Sequence, residues 1–402
     1  MKHIHLPGRR SAHRWIGALA LTSLLAACGG DPSQPLIPTR AANHLYTLTN
    51  ESQNAVVHFV RRDDGTLLRK GSTATGGKGT NGVTLDGRTA PDSLVSQHAV
   101  VADADTGRLF AVNAGDHSIS VLSIDPKTGE LALLKRNATS AGMAPNSLAY
   151  SHGRLYATFL RGTPQVGAFK VHADGTLSQL GSYDLPALAG TRADVAPTQS
   201  VVAPGGAHLV VSAGIQNDAL VSFGIESGGQ LTRPVVSRTQ VKTPFAGVFV
   251  PHAKTPTCLS TGISDVSLSA YHHAPATGTL TRVGHAVAPG VKDPCWIAIT
   301  PDGRVAYVGN GSGAISSFSV GPKGEIALLH AKAAIEPSIK QDVPSVAGDS
   351  WISPDGKYLY TAFLGADKVV AYRIGSGGSL VKLNEVVVGT ASGLSLQGLV
   401  GL

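Results

Sequence analysis

The sequence predicts an all-β fold, a seven-bladed β-propeller of four-stranded antiparallel blades, and three observations carry that prediction. First, a strand-like run ending in a tight Gly turn followed by Leu or Ile recurs seven times: Asp64-Gly65-Thr66-Leu67, Thr128-Gly129-Glu130-Leu131, Asp174-Gly175-Thr176-Leu177, Gly228-Gly229-Gln230-Leu231, Thr277-Gly278-Thr279-Leu280, Lys323-Gly324-Glu325-Ile326 and Gly377-Gly378-Ser379-Leu380. Second, the turn glycines are 46 to 64 residues apart, a period of about 50 that belongs to propeller-type repeats. Third, Gly (48) and Pro (23) are abundant while only 15% of the 402 residues are charged and 5% aromatic, which suits many short strands joined by tight turns. Such repeats bury their faces only by closing on one another, so the length does not imply two or three domains. Helices should be scarce.

Residues 1–27 read as an address. Lys2, Arg9, Arg10 and Arg14 form a basic start, and the apolar stretch Trp15 to Ala27 is too short to cross a bilayer. Leu25-Ala26-Ala27-Cys28 resembles the bacterial lipoprotein lipobox, which implies that Cys28 becomes the lipidated first residue. Gly29 in place of Asp implies sorting to the periplasmic side of the outer membrane or to the cell surface. Residues 28–42, with Pro32, Pro35 and Pro38 among small polar residues, suit a flexible tether. The formal charge of +7 is inflated by this leader, which has four basic residues and no acid. With no basic run and few aromatics to stack bases, nucleic acid is not an expected partner.

Residues 43–402 hold the repeats. The second is the clearest: Gln97 to Val101 as inner strand, Arg108 to Asn113, Ile119 to Ile124, the Gly129 turn, then Leu131 to Lys135, alternating with period two. The third strand carries an anchor in every repeat, at Phe59, Leu122, Phe169, Phe223, Tyr271, Phe318 and Tyr372, placed to pack between blades. The first repeat begins directly at Asn43-His44-Leu45-Tyr46 without an inner strand, and the segment 393–399 follows the last repeat unassigned. The tail is therefore expected to supply the missing strand and close the ring, which removes exposed edges.

Pro301-Asp302-Gly303-Arg304-Val305-Ala306-Tyr307-Val308, Pro354-Asp355-Gly356-Lys357-Tyr358-Leu359-Tyr360 and Pro294-Cys295-Trp296-Ile297-Ala298 resemble the recurrent strands of the lactonase family of seven-bladed propellers, the group of 6-phosphogluconolactonase and carboxymuconate-cyclase-like proteins. The resemblance runs from about Asn43 to the C-terminus. It implies a His beside Pro at the start of inner strands, with Arg and Glu facing the channel. Only Gln97-His98 keeps a His there; the later places read Pro145-Asn146-Ser147, Pro197-Thr198-Gln199, Pro244-Phe245-Ala246, Pro294-Cys295-Trp296 and Gly348-Asp349-Ser350.

In such blades the outer-to-inner and second-to-third connections share one rim, where a ligand would meet Gln97, His98, Asn113, Asn146, Arg161, Arg192, Asp194, Gln199, Trp296, Asp349 and Trp351. His98, with a side-chain pKa naturally near neutrality, is the expected general base toward a lactone carbonyl. Arg161 and Arg192 would hold a carboxylate or phosphate in a two-pronged fork. Asp194 or Asp349 would orient His98 or bind a sugar hydroxyl, Gln199 would add a polar contact, and Trp296 and Trp351 would stack on a sugar face. A Gly-rich insertion, Gly76 to Gly82, lies on the same rim as a flap or plain surface loop; it lacks the ending of a phosphate loop. No metal or other cofactor is expected, because Asp103-Ala104-Asp105 lacks the further oxygen ligands calcium needs and Tyr271-His272-His273 reads as a strand end entering a turn. A disulfide between Cys258 and Cys295 is allowed in an exported protein. Two functions stand side by side: a monomeric, lipid-anchored lactonase, or a propeller that recognises a glycan, peptide or envelope protein without turnover.

Overall fold

The computed structural model describes residues 43–186 and 195–402. They form seven four-stranded antiparallel sheets in a ring. Six blades are continuous in sequence, over residues 100–138, 143–183, 199–238, 244–287, 294–335 and 347–387. The first blade combines three strands from residues 44–74 with the C-terminal strand Gln397–Gly401, which pairs antiparallel to His44–Leu48 with Leu45 opposite Gly401 and Leu48 opposite Gln397. The expected closure is thus the observed one. Among the described residues the only helical element is a 3-10 turn, Ser376–Gly378, at the hairpin of the seventh blade.

Burial explains the strand grammar. Second and third strands lie between neighbouring blades and are buried on both faces, as in Arg154–Arg161 and Ser118–Ile124, so they read as near-continuous small and branched apolar runs. Outer strands are half-buried and alternate, as in Leu280–Val287. In six blades the pairing of the third and outer strands shifts register immediately before the anchor, at His58/Phe59, Val121/Leu122, Ala168/Phe169, Ala270/Tyr271, Ser317/Phe318 and Ala371/Tyr372. A bulge adds local twist, which turns the anchor into the space between blades. These anchors are nearly fully buried.

The inner strand of the second blade is Val100–Asp103, three residues later than the sequence pattern suggests. Gln97, His98 and Ala99 leave the sheet because the chain turns into the channel there. Cys258 and Cys295 are buried free thiols, so the allowed disulfide is not formed: Cys258 lies in a second strand and its Sγ contacts the Leu259 carbonyl at 3.5 Å.

Candidate active site

The segment 92–98 is hydrogen-bonded to blades on several sides of the ring, and is called the plug on that ground. Three of its non-glycine residues have left-handed backbone angles, Asp92 (φ 57°), Val95 (φ 48°) and His98 (φ 70°), and for a β-branched Val this is a strained conformation that surrounding bonds must hold. Those bonds reach across the ring. The Gln97 side chain donates to the Ile297 carbonyl and accepts from the Ile297 amide, both at 2.9 Å, as a strand neighbour would. Trp296 Nε1 donates to the Ser96 carbonyl at 2.9 Å. The Gln97 amide donates to Thr198 O (3.2 Å), and the His98 carbonyl accepts from the Leu148 amide (3.0 Å). Asn146 Nδ2 donates to Leu94 O and Pro197 O, at 3.3 and 2.9 Å. Blades three, four and six are thereby bonded to one short stretch of the second repeat, and blade seven joins them through Asp349.

The His98 ring sits between two amides. Its Nδ1 lies 3.2 Å from Gln199 Nε2 and its Nε2 lies 3.4 Å from Gln97 Nε2. Gln199 Oε1 accepts the Gly247 amide, and the Gln97 carbonyl oxygen is taken by Ile297, so both amides turn their NH2 groups toward the imidazole. Burial lowers the pKa of His98 to about 4, against a backbone hydrogen bond at Ser200 that favours the charged ring. The His98 ring also lines a cavity of about 330 Å3 together with Val100, Leu148, Ser200 and Trp351.

One carboxyl group, Asp92, belongs to the plug, and another, Asp349 of the seventh blade, bonds to it. Asp349 Oδ1 accepts the His98 backbone N–H at 2.9 Å, while Oδ2 is buried without a partner among the described residues. Burial raises Asp349 to about 7, against the opposing pull of that N–H. Asp92 Oδ1 accepts the Ser96 amide at 3.3 Å. Its acidity is weakened well beyond the ordinary range, by burial first and then by the charge of Asp349. The charge of Asp349 thus opposes ionisation of Asp92, while Asp349 itself is raised by burial.

The structure therefore brings together Gln97, His98, Asn146, Gln199, Trp296 and Asp349 at the level of the plug. Trp296 is 2% exposed and packs edge-on against Phe245, so its indole holds the plug and offers no face to a sugar. Trp351 lines the cavity that His98 shares. Asn113 is buried in bonds to Asn54, Thr75, Ser118 and Ser120. Arg161 is exposed in a separate rim pocket. Cys28, Arg192 and Asp194 lie outside the described residues. Sequence reasoning missed Asp92, for which the only signal was Pro91-Asp92 at the end of the long first spacing, and His117, which shares the pocket of Arg161. No group of three or more His, Cys, Asp or Glu among the described residues is arranged to hold a metal ion.

A closed ring of seven four-stranded antiparallel blades defines a seven-bladed β-propeller. The chain matches the model of the lactonase family, described as a 7-bladed beta-propeller, over residues 89–245 and 249–393, and it belongs to that family. Among solved structures it is similar to a candidate 6-phosphogluconolactonase from Bacteroides uniformis, with a TM-score of 0.68 and 20% identity over 87% of this chain and 98% of that one. It is also similar to the periplasmic gluconolactonase PpgL of Pseudomonas aeruginosa, with a TM-score of 0.65 and 18% identity over 88% and 98%. At such identities the likeness is one of fold. A curated relative, an uncharacterized protein of Staphylococcus saprophyticus, is 31% identical over 107 residues, which span 25% of this chain and 31% of that protein.

Proposed function

We propose that the protein hydrolyses a lactone of sugar-acid type at the mouth of its channel, with the Asp92–Asp349 pair as acid and base. The observation that carries this reading is the free, buried Oδ2 of Asp349 in a carboxyl group poised near 7, because proton transfer is most effective when the catalytic pKa lies near the working pH. The ionised member takes a proton from water as its oxygen bonds to the lactone carbonyl carbon. The protonated member then gives its proton to the ring oxygen as the carbon–oxygen bond breaks, leaving a hydroxy acid. Asp92 is half-buried, whereas Asp349 is 1% exposed. His98 acts through its backbone N–H, which orients Asp349, and its ring stays neutral. Family membership and the shared fold of the Pseudomonas gluconolactonase support the substrate class.

Turnover of glucono-δ-lactone by the full-length protein, followed by acid release, tests this. Asp349→Asn and Asp92→Asn should each lower kcat/KM by about 10²- to 10⁴-fold, while His98→Ala, which keeps the backbone bond, should retain most activity. Loss in His98→Ala with Asp349→Asn unaffected would restore the imidazole as base. No turnover across a panel of lactones would favour recognition without chemistry. That second reading draws on the polar residues around the plug, since Gln97, Asn146 and Gln199 already direct their hydrogen bonds to the chain.

The address completes the reading. Lipidation at Cys28 would hold the propeller to a membrane by residues 28–42, on the periplasmic side of the outer membrane or at the cell surface. Incorporation of labelled fatty acid that disappears in Cys28→Ser checks it.

A further inference from the structure

The Gly-rich insertion does not stand free as a flap. It is bonded down as a roof: Gly79 N donates to Glu51 O at 2.7 Å, Gly115 N donates to Lys78 O at 2.8 Å, and Asn50 binds Thr80 through both its backbone amide (3.0 Å) and its hydroxyl (2.9 Å). The approach is so close that a Cβ on Gly79 would lie 2.2 Å from the Asn50 backbone, and one on Gly115 would lie 2.2 Å from Gly79 O. Glycine is required at both places for the roof to seat. Under it lies a preformed pocket of about 270 Å3, just below the usual size of small-molecule sites.

Its two walls differ in chemistry. One presents Arg161, the last residue of the strand Arg154–Arg161, whose guanidinium has no hydrogen bond or ion pair to a described residue. Beside it, His117 Nδ1 accepts the Ala144 amide at 3.1 Å, which leaves the proton of the neutral ring on Nε2 and makes that nitrogen a donor. The other wall is apolar, with Leu94 and Leu160 joined by Val83 and Leu85, which are 39% and 44% exposed. No acidic side chain lines the pocket, and neither does any Lys.

We infer that this pocket binds a small monocarboxylate with a compact apolar body. The unpaired guanidinium offers two parallel N–H groups to the two carboxylate oxygens, and Val83 and Leu85 gain cover from the body. A single Arg with one neutral donor suits one negative charge better than the two of a phosphate. The inference is independent of the hydrolytic reading, because neither Asp92 nor Asp349 lines the pocket.

Calorimetric titration of the full-length protein with benzoate is the test, with benzyl alcohol and inorganic phosphate as comparators. Benzoate should saturate one site, and both comparators should bind at least about tenfold more weakly. Arg161→Gln should weaken benzoate by about 10- to 100-fold, the loss of a charge-assisted hydrogen-bonded contact. Leu85→Asp should weaken it too by opening the apolar wall, and this change on the exposed insertion carries the test alone if Arg161→Gln fails to fold. The absence of saturable benzoate binding, affinity unchanged in both variants, or phosphate binding as tightly as benzoate would each overturn the inference.

Discussion

The Tyr360 hydroxyl donates to the Gly65 carbonyl at 2.9 Å across the seam where the last blade meets the first. The same bond joins Tyr46 to Gly129 at 2.7 Å and, at 3.3 Å, Tyr156 to Gly229. In each case the Tyr is the third residue of a second strand, and the carbonyl belongs to the hairpin turn of the next blade. Tyr307 holds the same place in Val305–Asn310, but the turn it faces is the irregular 3-10 turn Ser376–Gly378, and its hydroxyl is buried without a partner among the described residues.

Truncating these hydroxyls should separate bonded from unbonded sites. Tyr46→Phe and Tyr360→Phe each remove a buried hydrogen bond and should cost about 1 kcal/mol. Tyr307→Phe removes only an unsatisfied polar atom and should be neutral or stabilising. Urea unfolding midpoints check this, and equal losses at all three positions would contradict it.

Acid should destabilise the fold through paired histidines. His44 Nδ1 and His58 Nε2 lie 2.9 Å apart, and the His208 and His273 rings pack at 4.9 Å. Burial, followed by the partner's charge, lowers His58 and His273 to about 4. An unfolded imidazole takes its proton near 6.5, so between about 6.5 and 4 the unfolded chain binds more protons. Their stabilising contribution is whole above 6.5 and is lost as pH falls toward 4. Urea midpoints measured across that window should decline, and His58→Gln should make the decline shallower.

How much of this was legible depends on where each interaction lives. Turn glycines, strand alternation and the missing inner strand of the first repeat are local signals, and they specified the blade count and the closing strand. The bulges behind Phe59 and Tyr271 leave no local trace, since the register depends on the partner strand. The plug escaped for a similar reason: Gln97 and Ile297 are 200 residues apart, and a Gln-His pair before an alternating run reads as the start of a strand. Asp349 was visible as a rim residue, whereas the burial that raises both it and Asp92 arises only in the closed ring.

Asp349 should trade stability for activity. Its folded pKa of about 7 stands above the ordinary 3.8, so the folded chain binds the extra proton between those values. The associated stability is complete below 3.8 and lost as pH rises through 7, opposite in sign to the histidines. Asp349→Asn keeps an oxygen for the His98 amide and removes the buried charge. It should therefore be more stable than the parent at pH 8, by the order of 2 kcal/mol, while losing lactone turnover. A variant that is inactive but no more stable would separate the carboxylate's catalytic role from the burial that tunes it.

The C-terminal strand should be indispensable. Gln397–Gly401 is the inner strand of the first blade, and the Leu402 amide adds a 2.9 Å bond to His44 O. It also covers the channel face of the last blade, so closely that a Cβ on Gly401 would lie 2.4 Å from the Trp351 indole. Removing residues 397–402 leaves His44–Leu48 as an open edge with unpaired backbone groups and uncovers Trp351 at once. The shortened protein should aggregate or unfold without a cooperative transition, and Gly401→Val should lower the melting temperature by forcing the indole aside. Cooperative melting of the deletion at the parent temperature, recorded by circular dichroism, would mean that six blades and an incomplete seventh suffice to hold the ring.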